Sequence, residues 1–280
     1  MTYVHPRSFL LGLEGMALLR ANAGGGPDRA FVERRLAEVR EILDADLGQG
    51  ATFGRIDTVD GYRDWSKTYD EPGNPLIYIE EPIVRRLLDE LAPGRAVDAA
   101  CGTGRHAEYL ASRGHTVVGV DSSPDMLERA KARVPDVSFV EGDVCALPVP
   151  DGDADLVVCG LALTHLPALE PAMAEFARVL RSGGQLIVSD IHHTTLDLGG
   201  VASADTSDGR RAYLPVSRFL PSDYLAAAFA AGFEARFCAE PRWPGGPWSG
   251  GPMAERWCPE AADLAYSVTP AAIIWQFRKA

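Results

Sequence analysis

Three aspartates, Asp98, Asp121 and Asp143, stand 23 and 22 residues apart (121 − 98 and 143 − 121), each at or just past the end of a short apolar run. Between the first two lies the glycine-rich turn Ala100-Cys101-Gly102-Thr103-Gly104, which leads into an amphipathic segment. A strand feeding such a turn and then a helix lets a ligand approach the backbone closely and offers it unpaired N–H donors. The turn suits a pyrophosphate or an amino-acid carboxylate. Gly102, Gly104 and Ala107 also satisfy G-x-G-x-x-A, so an NAD-dependent oxidoreductase is one reading. Asp98, just ahead of the glycines, favours another. An anion there repels a pyrophosphate and accepts hydrogen bonds from an ammonium or an ordered water. Asp121 is then placed to hold ribose hydroxyls and Asp143 to accept from an adenine amino group. Histidines are the natural bases near neutral pH. His165 follows the fourth strand of the series, and His192 and His193 follow the fifth. His106 lies on the first helix, His115 begins the second strand and His5 is N-terminal, so these three are set aside.

The elements that must position these residues alternate in type. Apolar spacing predicts strands at 96–100, 116–120, 137–140, 155–160 and 184–190. It predicts helices at 105–113, 124–133 and 170–180, the second with Pro124 in its first position. Short strands alternating with amphipathic helices imply an α/β fold, a doubly wound parallel sheet with helices on both faces. Right-handed crossovers place every strand's C-terminal end on one edge, where ligands bind.

The flanks are less regular. Helical spacing covers Phe9–Leu18 and, with Asp28 as N-cap, Phe31–Leu43. The stretch from Gly48 to Asn74 lacks strong periodicity but carries Tyr62, Trp65 and Tyr69, and Pro82 is read as the start of a helix to Leu91. Residues 1–91 are therefore expected to form an N-terminal helical cap, and residues 92–280 the ligand-binding domain, with insertions at 191–221 and 241–270. A helix from Ser222 and strands at 233–239 and 272–277 complete the chain.

Composition excludes several partners. The 280 residues carry 39 acidic against 27 basic side chains, a net charge of −12. That disfavours nucleic acid and anionic membrane surfaces, which need broad phosphate neutralisation. A small-molecule partner is expected. Five cysteines without a C-x-x-C pair argue against a disulfide framework and a zinc site, so no metal is expected, and a cytoplasmic setting is. Glu14 interrupts the apolar run of residues 9–19 that would otherwise resemble a signal core.

Taken together, several ordered segments resemble the class I S-adenosylmethionine (SAM)-dependent methyltransferases. Val97-Asp98-Ala99-Ala100-Cys101-Gly102-Thr103-Gly104 resembles their first motif, with Ala100 in place of its first glycine. Val118-Gly119-Val120-Asp121-Ser122-Ser123-Pro124-Asp125-Met126 resembles the second, and Gly142-Asp143-Val144 the adenine-contacting turn. Phe176–Gly184 resembles the turn into the fifth strand. The resemblance implies a seven-stranded sheet with a reversed last strand, the Rossmann-like methyltransferase fold. It implies SAM as cofactor, with S-adenosylhomocysteine (SAH) as product. It assigns Asp98 to the amino group, Gly102 and Gly104 to the methionine part and Asp121 to the ribose, with Ala100 and Ser122 also among the cofactor-binding residues. Met126 falls to the adenine face, Asp143 and Val144 to the adenine edge, and Tyr69 to closure of the pocket. Arginine-rich, lysine-poor composition and the helical cap are similar to natural-product tailoring enzymes.

The expected reaction is methyl transfer by in-line displacement to an O, N or C atom of a small organic acceptor, with His192, His165, His193 and Tyr69 as candidate catalytic groups. Trp243, Trp248, Tyr213 and Phe219 are candidates for an apolar wall around it. The alternatives are the NAD-dependent oxidoreductase and a non-catalytic SAM-binding protein. Oligomeric state is left open.

Overall fold

Strands that are buried on both faces must be apolar throughout, and their neighbours in sequence then pack against opposite helical layers. The computed structural model, which describes residues 1–21, 28–65, 74–200, 203–205, 211–245 and 250–280, is built on that rule. In chain order its elements are β1 (Thr2–Val4), α1 (Pro6–Ala21), α2 (Arg29–Asp44), β2 (Ala51–Arg55), α3 (Thr58–Trp65) and α4 (Pro75–Asp89). Next come β3 (Arg95–Ala99), α5 (Arg105–Ser112), β4 (Thr116–Asp121), α6 (Pro124–Arg133), β5 (Ser138–Glu141) and β6 (Ala154–Gly160). A 3₁₀ turn (Leu163–His165) leads to α7 (Glu170–Val179), β7 (Leu180–Ile191), α8 (His193–Asp197), β8 (Ser203–Asp205) and β9 (Arg211–Tyr213). The chain continues through α9 (Pro221–Ala230), β10 (Phe233–Ala239), α10 (Gly251–Trp257), α11 (Pro259–Tyr266) and β11 (Ala272–Lys279).

Two compact units result, Met1–Gly54 with Arg242–Pro270, and Arg55–Pro241 with Ala271–Ala280. The division therefore does not fall at residue 91. α3 and α4 go with the larger unit, and the region 242–270 goes with the N-terminal segment.

The larger unit holds a seven-stranded sheet of order β10-β11-β7-β6-β3-β4-β5. β11 runs antiparallel to both neighbours, and the remaining pairings of β3 through β7 are parallel. This is the doubly wound sheet with a reversed last strand. Alternation sorts the core. Val97, Val157, Cys159, Leu186 and Val188 face α7 and α9 through Phe176, Met173 and Tyr224. Ala96, Leu156, Val158 and Ile187 face the other layer, with Leu88 of α4, Leu110 of α5 and Leu127 of α6. Helix α6 starts where expected, because the Ser123 hydroxyl accepts from Met126 N–H at 3.4 Å and Pro124 follows it.

Helix α4 corrects the reading of Pro82. The helix begins seven residues earlier, where Asn74 caps Leu76 N–H at 3.2 Å and Pro75 takes the first position, and Pro82 lies inside it. In the described part of the stretch 48–74, β2 and α3 supply order that the sequence did not predict.

In the smaller unit β1 pairs antiparallel with β2, Thr2 opposite Phe53. Leu10, Leu13 and Ala17 of α1 and Phe31 and Ile42 of α2 are buried. Asp28 caps α2, accepting from Phe31 N–H at 2.9 Å. Glu14, the acid that breaks the apolar run, is fully buried beside Arg35, and burial pushes its carboxyl up to about 8. Among the described residues no helix is long and apolar enough to cross a membrane.

Phe176 has no exposed surface and joins α7 to the sheet. Phe176→Ala is expected to lower the unfolding free energy by about 3–5 kcal/mol in urea titration. A loss under about 1 kcal/mol would show that this layer is not close-packed.

Candidate functional site

From β3 the chain winds outward to β4 and β5 on one side, and β6 returns on the other. The C-terminal ends of β3 and β6 therefore part at the point where the strand order reverses, the place where open α/β sheets bind ligands. A cleft of about 850 Å³, counting its open mouth, lies there. Its lining comes from the loops after β3 (Ala100, Gly102), β4 (Asp121, Ser122), β5 (Gly142, Asp143, Val144) and β6 (Gly160, Leu161, Ala162, His165, Leu166). Met126 of α6 and Thr58 and Tyr62 of α3 complete it.

The turn after β3 is tightly wound. Ala100, Gly102 and Gly104 all adopt positive φ, at 55°, 53° and 84°. Ala100, small though it is, thus sits in a left-handed conformation that its Cβ disfavours by roughly 1 kcal/mol. A Cβ on Gly102 would meet nothing within 4 Å, whereas one on Gly104 would meet Ala130 at 3.1 Å. Gly102 opens backbone toward the cleft, and Gly104 lets α5 and α6 approach.

The acids differ in environment. Asp121 is clasped by two backbone donors, Gly102 N–H to Oδ2 and Ser123 N–H to Oδ1, each at 2.8 Å. Burial raises its carboxyl above the ordinary value. Each oxygen keeps lone-pair capacity toward the cleft. Asp143 accepts from Cys145 N–H at 2.7 Å, which leaves its carboxylate facing the same space. Asp98 lies beneath the turn and does not line the cleft. Its Oδ2 accepts from Ala107 N–H at 2.8 Å, and its Oδ1 is buried with no hydrogen-bond partner. Burial, partly offset by His106 and Arg105, pushes its carboxyl up to about 6.

Below the turn is a polar cluster that sequence reading missed. Glu80 of α4 is fully buried and accepts from Arg105 Nη1 at 2.8 Å and Ser189 Oγ at 2.5 Å. His106 Nε2 lies 3.2 Å from the same carboxylate. Burial alone opposes ionisation of Glu80, but Arg105 and His106 hold its carboxyl well below the usual range. No spacing rule connects residue 80 to 105, 106 and 189, so only the fold brings them together.

Of the candidate bases, His165 lines the cleft. His192 does not. Its Nδ1 caps α8, accepting from Thr194 N–H at 3.2 Å, and its Nε2–H donates to Glu240 at 2.8 Å. His193 stacks on His192 and pairs with Asp197 along α8. Tyr69 lies outside the described residues, as do Trp248 and the side chain of Trp65. Trp243 packs edge-on against Tyr266, Phe219 edge-on against Tyr224, and Tyr213 lies on β9, so none of these three is in the cleft lining. Thr58, Leu161, Ala162 and Leu166 are lining residues that the sequence did not mark, and Tyr62 was marked only as one aromatic in an aperiodic stretch.

The residues fit a cationic, phosphate-free nucleoside better than a dinucleotide. Among the described residues no lysine or arginine lines the cleft, while two carboxylates do and a third lies beneath it with one oxygen unpartnered. The Gly102 N–H that a pyrophosphate would need is already donated to Asp121.

Comparison with known proteins agrees with this geometry. Residues 97–188 match the family described as "Methyltransferase domain". The chain is 36% identical over 181 residues to the demethylmenaquinone methyltransferase of Thermus thermophilus, covering 55% of this chain and 81% of that protein. It is 36% identical over 138 residues to the demethylmenaquinone methyltransferase of Renibacterium salmoninarum, covering 48% of this chain and 58% of that protein. It thus spans little more than half of the latter's length. The crystal structure of the [4+2]-cyclase SpnF has a TM-score of 0.56 at 20% identity, covering 82% of this chain and 99% of that one, and shows the shared fold.

The buried Asp98 carries a pH signature. Its folded value of about 6 exceeds the ordinary 3.8, so its ionisation opposes folding. The contribution is absent below about pH 4, and stability is lost as pH rises through 6, by up to about 3 kcal/mol. Asp98→Asn is expected to abolish this loss. The unfolding free energy of the variant minus that of the wild type should grow between pH 4 and 7. A pH-independent difference would contradict the assignment.

Proposed function

This chain belongs to the class I SAM-dependent methyltransferases, and on that premise we propose that it transfers a methyl group from SAM to a small organic acceptor. SAM is the cofactor and supplies an electrophilic methyl on a sulfonium. The chain's own residues bind and orient it. Asp121 takes the two ribose hydroxyls, one on each oxygen, with Ser122 beside it. Asp143 and the Val144 N–H take the adenine edge, and Met126 packs on its face. Asp98, through its unpartnered Oδ1, draws the amino group toward the glycine turn, where Ala100 and Gly102 lie against the methionine chain. Gly104 acts through helix packing. Holding donor and acceptor in line converts an encounter into a positioned reaction, which is where most of the rate arises in such transfers.

The observation that carries this reading is the cleft's acid ladder at the strand-order switch, with no lysine or arginine among its described lining residues. The same observation disfavours the NAD-dependent alternative. The acceptor side of the cleft is formed by Thr58, Tyr62, Leu161, Ala162, His165 and Leu166, an apolar wall with a few hydroxyl and imidazole groups. Such a wall suits a flat, hydroxylated molecule. The names of the two demethylmenaquinone methyltransferases point the same way, and a secondary metabolite of this type is the acceptor class we favour. The five cysteines are all free, which supports a reducing, cytoplasmic setting.

Calorimetry tests the cofactor assignment. The wild type is expected to bind both SAM and SAH and to give no heat with NADH. Asp121→Asn should weaken SAH at least about tenfold, since each hydrogen bond to a charged group contributes about 1.5–3 kcal/mol. No heat with either SAM or SAH would remove the proposal.

A further inference from the structure

Resting on that reading, we infer that Tyr62 and His165 form a proton-accepting dyad for an acceptor that presents a hydroxyl group. Tyr62 Oη lies 2.9 Å from His165 Nε2, with the rings edge to face at 5.5 Å. His165 Nδ1 lies 2.7 Å from the Pro215 carbonyl oxygen, which can only accept. Nδ1 therefore carries the proton, Nε2 presents its lone pair, and the Tyr62 hydroxyl donates into it. The pair lines the same cleft as the cofactor-side acids.

The dyad is built in rather than incidental. The segment after β9 clamps the 3₁₀ turn that bears His165. Ser217 N–H donates to the Thr164 carbonyl at 2.7 Å, Thr164 Oγ1 donates to the Ser217 carbonyl at 3.0 Å, and Ser217 Oγ donates to the Leu166 carbonyl at 2.5 Å. Leu214 of the same segment packs with Ile56 and Tyr62, which fixes the tyrosine from its other side. One short connection thus holds both partners. Among the described residues, the groups in hydrogen-bond contact with the imidazole are Tyr62 from α3 and the Pro215 carbonyl, and the carboxylates of Asp121 and Asp143 line the same cleft. Burial lowers the imidazole below its ordinary value, partly opposed by the Pro215 carbonyl, so it is neutral and able to accept a proton at pH 7.

The balance is as follows. The acceptor oxygen forms its bond to the methyl carbon as the carbon–sulfur bond breaks, and that electron pair stays on sulfur. The acceptor's hydroxyl proton passes to Tyr62 Oη while the tyrosine's own proton passes to His165 Nε2. The positive charge lost at sulfur reappears on the imidazolium. On a hydroxylated ring the same proton removal activates the adjacent carbon, so the dyad specifies a protic acceptor.

The test compares catechol, whose hydroxyl needs a base, with thiophenol, which is largely ionised by about pH 8 on its own. Transfer of labelled methyl to catechol is expected to fall at least about 100-fold in His165→Asn and less steeply in Tyr62→Phe. Transfer to thiophenol should change less than about threefold in either variant. SAH affinity by calorimetry should stay within about twofold. Nitrogen NMR of the SAH-bound wild type should find His165 as the Nδ1–H tautomer, with its Nε2 resonance shifted by Tyr62→Phe. Equal losses with both acceptors, no transfer to catechol by a wild type that binds SAH, or an Nε2–H tautomer would each overturn the dyad. Loss of SAH binding in the wild type would instead sink the cofactor reading on which it stands.

Discussion

One carboxylate governs the shape of the cleft. Asp121 reaches from the end of β4 to the neighbouring turn after β3 and takes the Gly102 N–H, while its other oxygen takes the Ser123 N–H at the start of α6. The two strands lie side by side in parallel register, with Ala99 opposite Val120, so the reach is short. By consuming the Gly102 donor, Asp121 turns a loop of the kind that elsewhere cradles phosphate into a wall that is negative and open. Its bond to the Ser123 N–H holds the residue that caps α6 and hence bears on where Met126 meets the cleft. In the proposed reading, ribose recognition, selection against phosphate and the position of an apolar adenine face all rest on this arrangement.

Beneath that wall, charge is used to hold backbone. Glu80, Arg105, His106 and Ser189 tie α4, the first turn of α5 and β7 into one buried network. Burying such groups opposes folding unless each finds a partner, and breaking one pair strands the rest. The network fixes the N-terminal turn of α5 directly under Asp98, which is left with one oxygen unpartnered. A buried carboxyl with one oxygen left unpartnered is a poor choice for stability and a good one for drawing a cation.

The sheet was legible because its strands are short, apolar and separated by helices with clear signals. Pro124 announces α6, and the acids at 98, 121 and 143 mark strand ends by position alone. Of those acids Asp121 and Asp143 line the cleft, where the proposed cofactor reading needs them, and Asp98 does not. What the sequence hid falls into two kinds. Pro82 looked like a helix start because proline favours that position, but Asn74 and Pro75 supply a stronger one and the helix runs through. Glu80, Tyr62 and the role of Ser217 depend on contacts between segments far apart in the chain, which no local period encodes. His192 and His193 stood at the right edge in sequence, but backbone capping and Glu240 engage His192, whereas His165 is turned inward by the Pro215 carbonyl. Ala100 read as a harmless small-for-small change, and the structure adds that it occupies a left-handed conformation.

The central claim is that the strand-end acids at the switch point hold a cationic nucleoside. A crystal structure of the chain with SAH tests it most directly. Ribose hydroxyls within hydrogen-bond distance of both Asp121 oxygens, with the adenine between Met126 and Asp143, are the predicted result. SAH seated elsewhere, or with its ribose turned away from Asp121, would contradict the account.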